Sequence, residues 1–434
     1  MTVPFPSAAA ADADADAVPA EDAACGGAAC LERRPSVTAL RLSAFAAHRR
    51  AEFPLGPLTL FAGPSGSGKS SALRAYEALA RLGGGASLGE VFPDPAACVP
   101  ERARPDAGRR RGFRIGCTVD GPAGVVRLDL AVQAEPELRI VGERLTTGGV
   151  TLLETALRDP NRPTVQAAWH TAGSSAVTRA PFPDDRLGTA LLPLRVSGRT
   201  DGQRQVLAAA EQMVVALRSV FACDPVPRHM RVPVPIGAGR LLPGCGNLAE
   251  VLWRTRSECG RRHGLLVAAV REGCAGRVVD VLAEEVSSGA GQGSATVPTA
   301  RAVSAGRVPP AVRAVKAGSA SPVVRAVLDR GDGLRTPLGL LGDGELRYVA
   351  LALVLLTGPG VLDVDTAGEV PEALQTLTVL ADGFDRDLDG RQRDQLVRLA
   401  ARMCERGHIR LVGAVSDASW ASGVDGVTVV HLEP

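Results

Sequence analysis

The chain has 434 residues, enough for two or three compact units and a substantial core. Its formal net charge of +2 neither demands nor excludes a polyanionic partner, and 45% apolar but only 3% aromatic residues imply a core of Ala, Val and Leu. No apolar run approaches the ~20 residues needed to cross a bilayer, and the N-terminus lacks a basic-then-apolar signal pattern. A cytoplasmic location without a membrane partner is therefore the expectation.

Residues 1–35 are rich in Ala, Asp and Pro, carry six acids against two arginines, and read as a disordered acidic tail. VTALRLSAF then alternates as a strand, and FPLGPLTLFAG supplies the next, ending in a buried run over residues 58–62. It breaks into Gly63, Pro64, Ser65, Gly66, Ser67, Gly68, Lys69 and Ser70, with Ser71 next in the candidate binding set, and a helix follows through Leu73, Tyr76 and Leu79. This fits the phosphate-loop pattern G-x-x-x-x-G-K-[ST] in full. Glycines let successive amides turn toward phosphate oxygens, and the helix N-terminus adds partial positive charge. Lys69 supplies a point charge for the β- and γ-phosphates, and the Ser70 hydroxyl is the candidate Mg²⁺ ligand. An ordinary Gly/Ser-rich turn is the plainer alternative. Against it, the chain has two lysines, Lys69 and Lys316, and one falls where the loop needs it.

Residues 101–114 hold six arginines against two acids; they read as a solvated loop, with a nucleic-acid contact as the sharper alternative. GFRIGCTVD, GVVRLDLAVQ and ELRIVGERLT are short alternating runs joined as β-hairpins. Residues 146–286 read as mostly helical. They include a helical run over 203–222, a helix capped by Asn247 with Trp253 expected in the core, and another through HGLLVAAVREG. Residues 287–322 read as a flexible basic linker. From residue 323 strands and helices alternate: VVRAVLDRG, LLGDGELRYVALALVLLTG, TLTVLADGFDRDLD, a helix from Arg391, and HIRLVGAVSD. The fold class is α/β, doubly wound, with the second half of a nucleotide fold arriving long after its first. Nine cysteines and six histidines show no metal-ligand spacing, so buried free thiols are expected.

This split resembles the ABC-type ATPase superfamily in its RecF/SMC-like branch, as an AAA-family ATP-binding protein with degenerate catalytic motifs. The resemblance covers residues 36–145 and 323–434, the two halves of an ATPase head, the first carrying a β-rich lobe; 146–286 becomes the insertion. It implies that Leu341-Gly-Asp-Gly-Glu-Leu-Arg347 is the signature loop, with Gly342 and Gly344 facing the γ-phosphate of a nucleotide on a second protomer. Asp382 falls at the metal-organising Walker B carboxylate, Asp389 at the D-loop aspartate, and Ser416 at the switch position. Gln133 is the candidate Q-loop glutamine. Asp363 and Asp365 form a rival Walker B strand. The run from Gly244 to Leu252 also resembles a segment of RecF-like ATPases. No long heptad run marks a coiled-coil arm.

Three departures matter. The glutamate expected after the Walker B aspartate is Gly383, the switch histidine is Ser416, and the signature serine is Gly342. Glycine can neither orient water nor accept its proton. The nearest acid, Asp385, could substitute only through a rearranged loop. The resemblance thus implies an ATP- and Mg²⁺-binding switch, with Lys69 and Asp382 as catalytic groups, a nucleotide-dependent homodimer and slow or partner-dependent hydrolysis. Its partner is DNA or a DNA-bound complex, or a protein without nucleic acid; a small-molecule kinase is the third reading.

Overall fold

The computed structural model describes residues 34–172, 176–237, 239–286, 322–364 and 375–433. The expected acidic tail and basic linker lie outside these, apart from residues 34, 35 and 322. Strands β1 (Ser36–Phe45) and β2 (His48–Pro54) pair antiparallel, with Leu40 opposite Phe53 on the buried face and Arg41 opposite Glu52 on the other. β3 (Leu58–Ala62) is buried at every residue and feeds the loop 63–68 and then α1 (Lys69–Gly83), which buries Leu73, Tyr76 and Leu79. A single turn, α2 (Leu88–Val91), precedes a meander of β4 (Arg111–Asp120), β5 (Val126–Glu135), β6 (Arg139–Thr147), β7 (Val150–Ala156), β8 (Thr164–Ala172) and β9 (Ala176–Pro183). These join β1 and β2 in an eight-stranded antiparallel sheet of order β2-β1-β4-β5-β6-β7-β8-β9.

Here the expectation of a mostly helical segment from residue 146 is corrected, because its first part extends the sheet. In β8, Val165, Ala167 and Trp169 are buried alternately, the period of a half-buried strand. The helical run over 203–222 is corrected as well. After α3 (Gly188–Leu191), α4 (Asp201–Arg218) is capped by Thr200, whose hydroxyl accepts from the Gln203 N–H at 3.2 Å. It stops at Arg218, and β10 (Val220–Cys223) pairs parallel with a strand far downstream. A four-residue apolar run satisfies either period; only the distant partner decides it.

The chain continues through α5 (Pro227–Met230), β11 (Val234–Pro235), α6 (Leu248–Glu258), α7 (Gly260–Gly273), β12 (Asp280–Glu285), β13 (Val323–Gly331) and β14 (Leu334–Pro337). Last come α8 (Asp343–Leu356), β15 (Leu377–Ala381), α9 (Gly390–Glu405), β16 (Ile409–Val415) and β17 (Val427–His431). A five-stranded, wholly parallel sheet runs β10-β15-β16-β3-β17. A small antiparallel sheet pairs β13 with β12 on one edge, and with β11 and β14 on the other. The parallel sheet separates two apolar cores. Leu58, Leu60, Val379 and Leu411 join α6–α9 in one, while Phe61, Leu380 and Val412 face α1, α4 and the antiparallel sheet in the other. Burial on both faces is what parallel strands require.

Trp253 is 38% exposed on α6, which corrects its expected place in the core; the buried indole is Trp169, stacked on Phe182 at 5.8 Å. Among the described residues the cysteines are free. Burial pushes the Cys117 and Cys274 thiols up to about 12, as expected of packing residues. Cys25 and Cys30 lie outside the described residues. No described helix is long and apolar enough to cross a membrane.

Glu143 of β6 joins the antiparallel sheet to the helical layer. It is buried, and its carboxylate accepts from the N–H groups of Gly188 and Thr189, both at 2.7 Å, and from the Thr189 hydroxyl at 2.5 Å. Burial raises its pKa and these donors oppose the rise. Glu143→Gln turns an NH₂ toward a donor, and a buried mismatch of that kind costs about 1–3 kcal/mol. A urea midpoint lowered to that extent, with unchanged slope, is the expected result.

Candidate functional site

The site forms where the carboxyl ends of the parallel strands open, the usual ligand crevice of such sheets. Gly68 caps α1 with φ +94°, a left-handed geometry that favours glycine. A Cβ there would lie 2.7 Å from the His48 ring, whose Nε2 is hydrogen-bonded to the Gly68 carbonyl at 3.0 Å. β2 thus braces the phosphate loop from the side. The Ser67 N–H donates to the Pro64 carbonyl at 3.3 Å, closing a turn. Lys69 Nζ lies within the loop, donating to the carbonyls of Gly63 at 2.6 Å and Pro64 at 2.7 Å. Ser71 is buried behind it and its hydroxyl accepts from Arg74 at 3.3 Å.

The Ser70 hydroxyl donates to Asp382 Oδ1 at 3.1 Å. These residues stand 312 positions apart, and the strand order β15-β16-β3 brings them together. A hydroxyl and a carboxylate converging at a helix N-terminus are oxygen donors suited to a hard cation such as Mg²⁺. The rival Asp363 lies beyond an isolated bridge between Leu241 and Leu362, outside any strand; Asp365 is outside the described residues. Gln133 sits on β5, where its amide donates to the Glu137 carbonyl at 3.0 Å.

The other expected site residues make their contacts away from the loop 63–70. Gly342 is the N-cap of α8, with open space around the position of a Cβ. Gly344 packs so tightly on the chain after Asp382 that a Cβ would collide with the Asp387 carbonyl. Asp389 caps α9, accepting from the Gln392 N–H at 2.7 Å while Gln392 Oε1 accepts from Asp389 N–H at 3.1 Å. Ser416, after β16, donates from its N–H and hydroxyl to Asp385. Gly383 has φ +63°, and a Cβ there would lie 2.7–2.9 Å from the Arg386 guanidinium. A glutamate at that position would therefore be strained.

Arg347, the last residue of the signature-like run, is a structural tie whose contacts the pattern does not show. It is 2% exposed on α8. One guanidinium nitrogen donates to the Pro225 carbonyl at 2.6 Å and to Asp224 at 3.2 Å, and the other to the Gly383 carbonyl at 2.9 Å. Arg386 also reaches Asp224, at 3.3 Å. The end of β10, the signature-like helix and the turn after Asp382 are thus held by one charge. A lone arginine ahead of an unbroken apolar helix, ELRYVALALVLL, was its available signal. Arg231 plays a similar part on the other side, donating to the carbonyls of Gly339 and Leu341 and pairing with Asp343.

No protein-family model matches the chain, and no curated protein matches it. Solved structures similar to it are SMC head domains. The SMC head bound to the C-winged helix domain of ScpA is 10% identical, over 92% of this chain and 95% of that one, at a TM-score of 0.48. The head domain from Thermotoga maritima is 12% identical, over 91% and 94%, at 0.39. The Smc head with an extended coiled coil, bound to the C-terminal domain of ScpA derived from Pyrococcus furiosus, is 10% identical, over 92% and 94%, at 0.41.

The two glycines of the signature-like loop separate in a stability measurement. Gly344→Ala is expected to cost about 1–3 kcal/mol, the usual range for overpacking. Gly342→Ser, at an open N-cap where serine is a preferred residue, is expected to leave the urea midpoint unchanged or slightly raised. Gly344→Asp would unfold the contact with Asp387 before it could report on dimerisation.

Proposed function

We propose that the chain is an ATP-binding protein of the ABC-type ATPase-head class, a nucleotide-gated switch with slow or partner-dependent hydrolysis. The observation that carries this is the 3.1 Å contact between Ser70 and Asp382, which joins a full phosphate-loop motif to a carboxylate from the other half of the chain. The amides of residues 63–68 and the N-terminus of α1 would cradle the phosphates. Lys69 would leave its two loop carbonyls for the β- and γ-phosphate oxygens. Ser70 and Asp382 would hold Mg²⁺, which when bound neutralises charge building on the phosphate oxygens. Gly342, Gly344 and Asp389 belong to the α8–α9 face that a second protomer would share in a nucleotide-dependent homodimer.

Within residues 101–114, Arg110 pairs with Asp106 at 2.8 Å and Arg111 with Glu135 at 2.6 Å. Those two charges are already answered inside the chain. Arg102, Arg104 and Arg109 of the same segment are exposed, so DNA or a DNA-bound complex and a protein partner stand as the two readings of what the switch acts on. A small-molecule kinase would need neither the Asp389 cap nor the Arg347 tie.

Lys69→Ala should weaken ATP binding roughly 10- to 100-fold, the range for losing a hydrogen bond from a charged group, with unchanged circular dichroism. Calorimetry with Mg²⁺–ATP provides the measurement, and undiminished affinity in a folded variant would sink the assignment. Turnover of the protein alone should lie well below the enzyme median of about 10 s⁻¹.

A further inference from the structure

Hydrolysis of a γ-phosphate needs a group that orients a water and receives its proton, and position 383 offers none. The backbone locates a carboxylate nearby. With φ at +63°, Gly383 turns the chain, and the following amide, Phe384 N–H, donates to the Ala414 carbonyl of β16 at 2.9 Å. The Phe384 ring is buried beneath the turn. Asp385 is thereby carried from the end of β15 to the end of β16. There its Oδ2 accepts from the Ser416 N–H at 3.1 Å and the Ser416 hydroxyl at 2.7 Å. Both bonds fall on one oxygen, and the other is the acceptor a water would use.

Strand register fixes where this pair stands. Val415 is opposite Ala62, so Ser416 is level with Gly63, the first residue of the phosphate loop. On the other side Ala381 is opposite Gly413, so Asp382 emerges beside the same strand end. The Asp385–Ser416 pair thus lies between the metal-type carboxylate and the phosphate loop. Asp385 is half-buried and Ser416 exposed, so water reaches them.

We propose that Asp385, oriented by Ser416, is the catalytic carboxylate that aligns the attacking water, displaced two residues from the position the family pattern gives it. The proposal rests on the ATP-binding reading above. In the step, the water oxygen bonds to the γ-phosphorus as the bond from that phosphorus to the β–γ bridging oxygen breaks. The leaving electron pair stays on the bridging oxygen of ADP. The water proton passes to Asp385 and then to the departing phosphate, so ATP and water give ADP and phosphate. Ser416 is a positioning residue: its two donors fix the carboxylate without touching the reacting atoms.

The test uses the full chain with Mg²⁺–ATP, measuring phosphate release and, separately, ATP affinity by calorimetry. Asp385→Asn keeps the shape and an acceptor for Ser416 but cannot take a proton. It should lower kcat roughly 10²- to 10⁴-fold, the range for general acid–base catalysis, while ATP affinity changes less than about threefold. A purely structural role would instead lower ATP affinity together with turnover. Ser416→Ala should lower kcat by a smaller factor, and Ser416→Thr, which keeps the hydroxyl, should restore it. If Asp385→Asn retains turnover, the proposal is overturned. It is equally overturned if the wild type binds ATP but releases phosphate no faster than Lys69→Ala, although the ATP-binding reading then survives. Absence of ATP binding by the wild type would remove both.

Discussion

Ser70 can reach Asp382 only if β3, β16 and β15 lie side by side with one polarity, and the rest of the chain is arranged to permit this. Parallel neighbours cannot be joined by tight turns, so every pairing in that sheet needs a crossover. The connection from β3 to β15 is extreme, because it contains six of the eight strands of the antiparallel sheet, the small sheet and most helices. Such a sheet gains no local hairpin on which to nucleate. Its stability comes from both faces at once, through Leu58, Leu60 and Leu411 on one side and Phe61, Leu380 and Val412 on the other. The site is thus a by-product of strand order: three strand ends meet, with the loop 63–70 after β3, Asp382 after β15 and Ser416 after β16.

Burying Arg347 illustrates what that arrangement demands. Taking a guanidinium out of water costs several kcal/mol unless its donors are met. Here Pro225, Asp224 and Gly383 meet two of its nitrogens, while Nε has no partner. Three elements must therefore hold their relative positions for the charge to remain satisfied. Arg410 repeats the device at the opposite end of β16, donating to the carbonyls of Val37, Leu55 and Gly56; burial lowers its pKa. Arg347 fastens α8 to two strand ends of the parallel sheet, and Arg410 fastens that sheet to the antiparallel one, each largely through backbone carbonyls, which are fixed in direction.

Legibility in the sequence followed the range of the interaction. The phosphate loop, β3, α1 and the run into Asp382 were readable because motif and period are local properties. So was the alternation after residue 323. β10 was misread because its partner is distant and a short apolar run satisfies two periods, whereas β7–β9 were misread although they pair with sequence neighbours. Trp253 was misplaced because one large apolar side chain carries no information about which helix face is covered. At the site, Lys69, Ser70 and Asp382 were named from pattern, but Asp385 and Ser416 meet through a left-handed glycine. The missing Cβ of Gly344 admits the Asp387 carbonyl, a packing role beside the one its motif position suggests. Backbone dihedrals and close approaches of that kind leave no periodic trace.

Gly383 is then better understood as part of a turn than as a lost side chain. Its carbonyl accepts from Arg347 at 2.9 Å, its φ is positive, and the next amide bonds to β16. An L-residue there would be strained by the dihedral and would have to displace the Arg386 guanidinium, so the turn disfavours a glutamate at 383. The same turn carries Gly383 O toward α8 and Asp385 toward Ser416. Any shift of α8 against β15 must either break the Arg347 contacts or move this turn. The Arg347 contact with Gly383 and the packing of Gly344 on Asp387 thus both join the helix after the signature-like loop to the turn that carries Asp385.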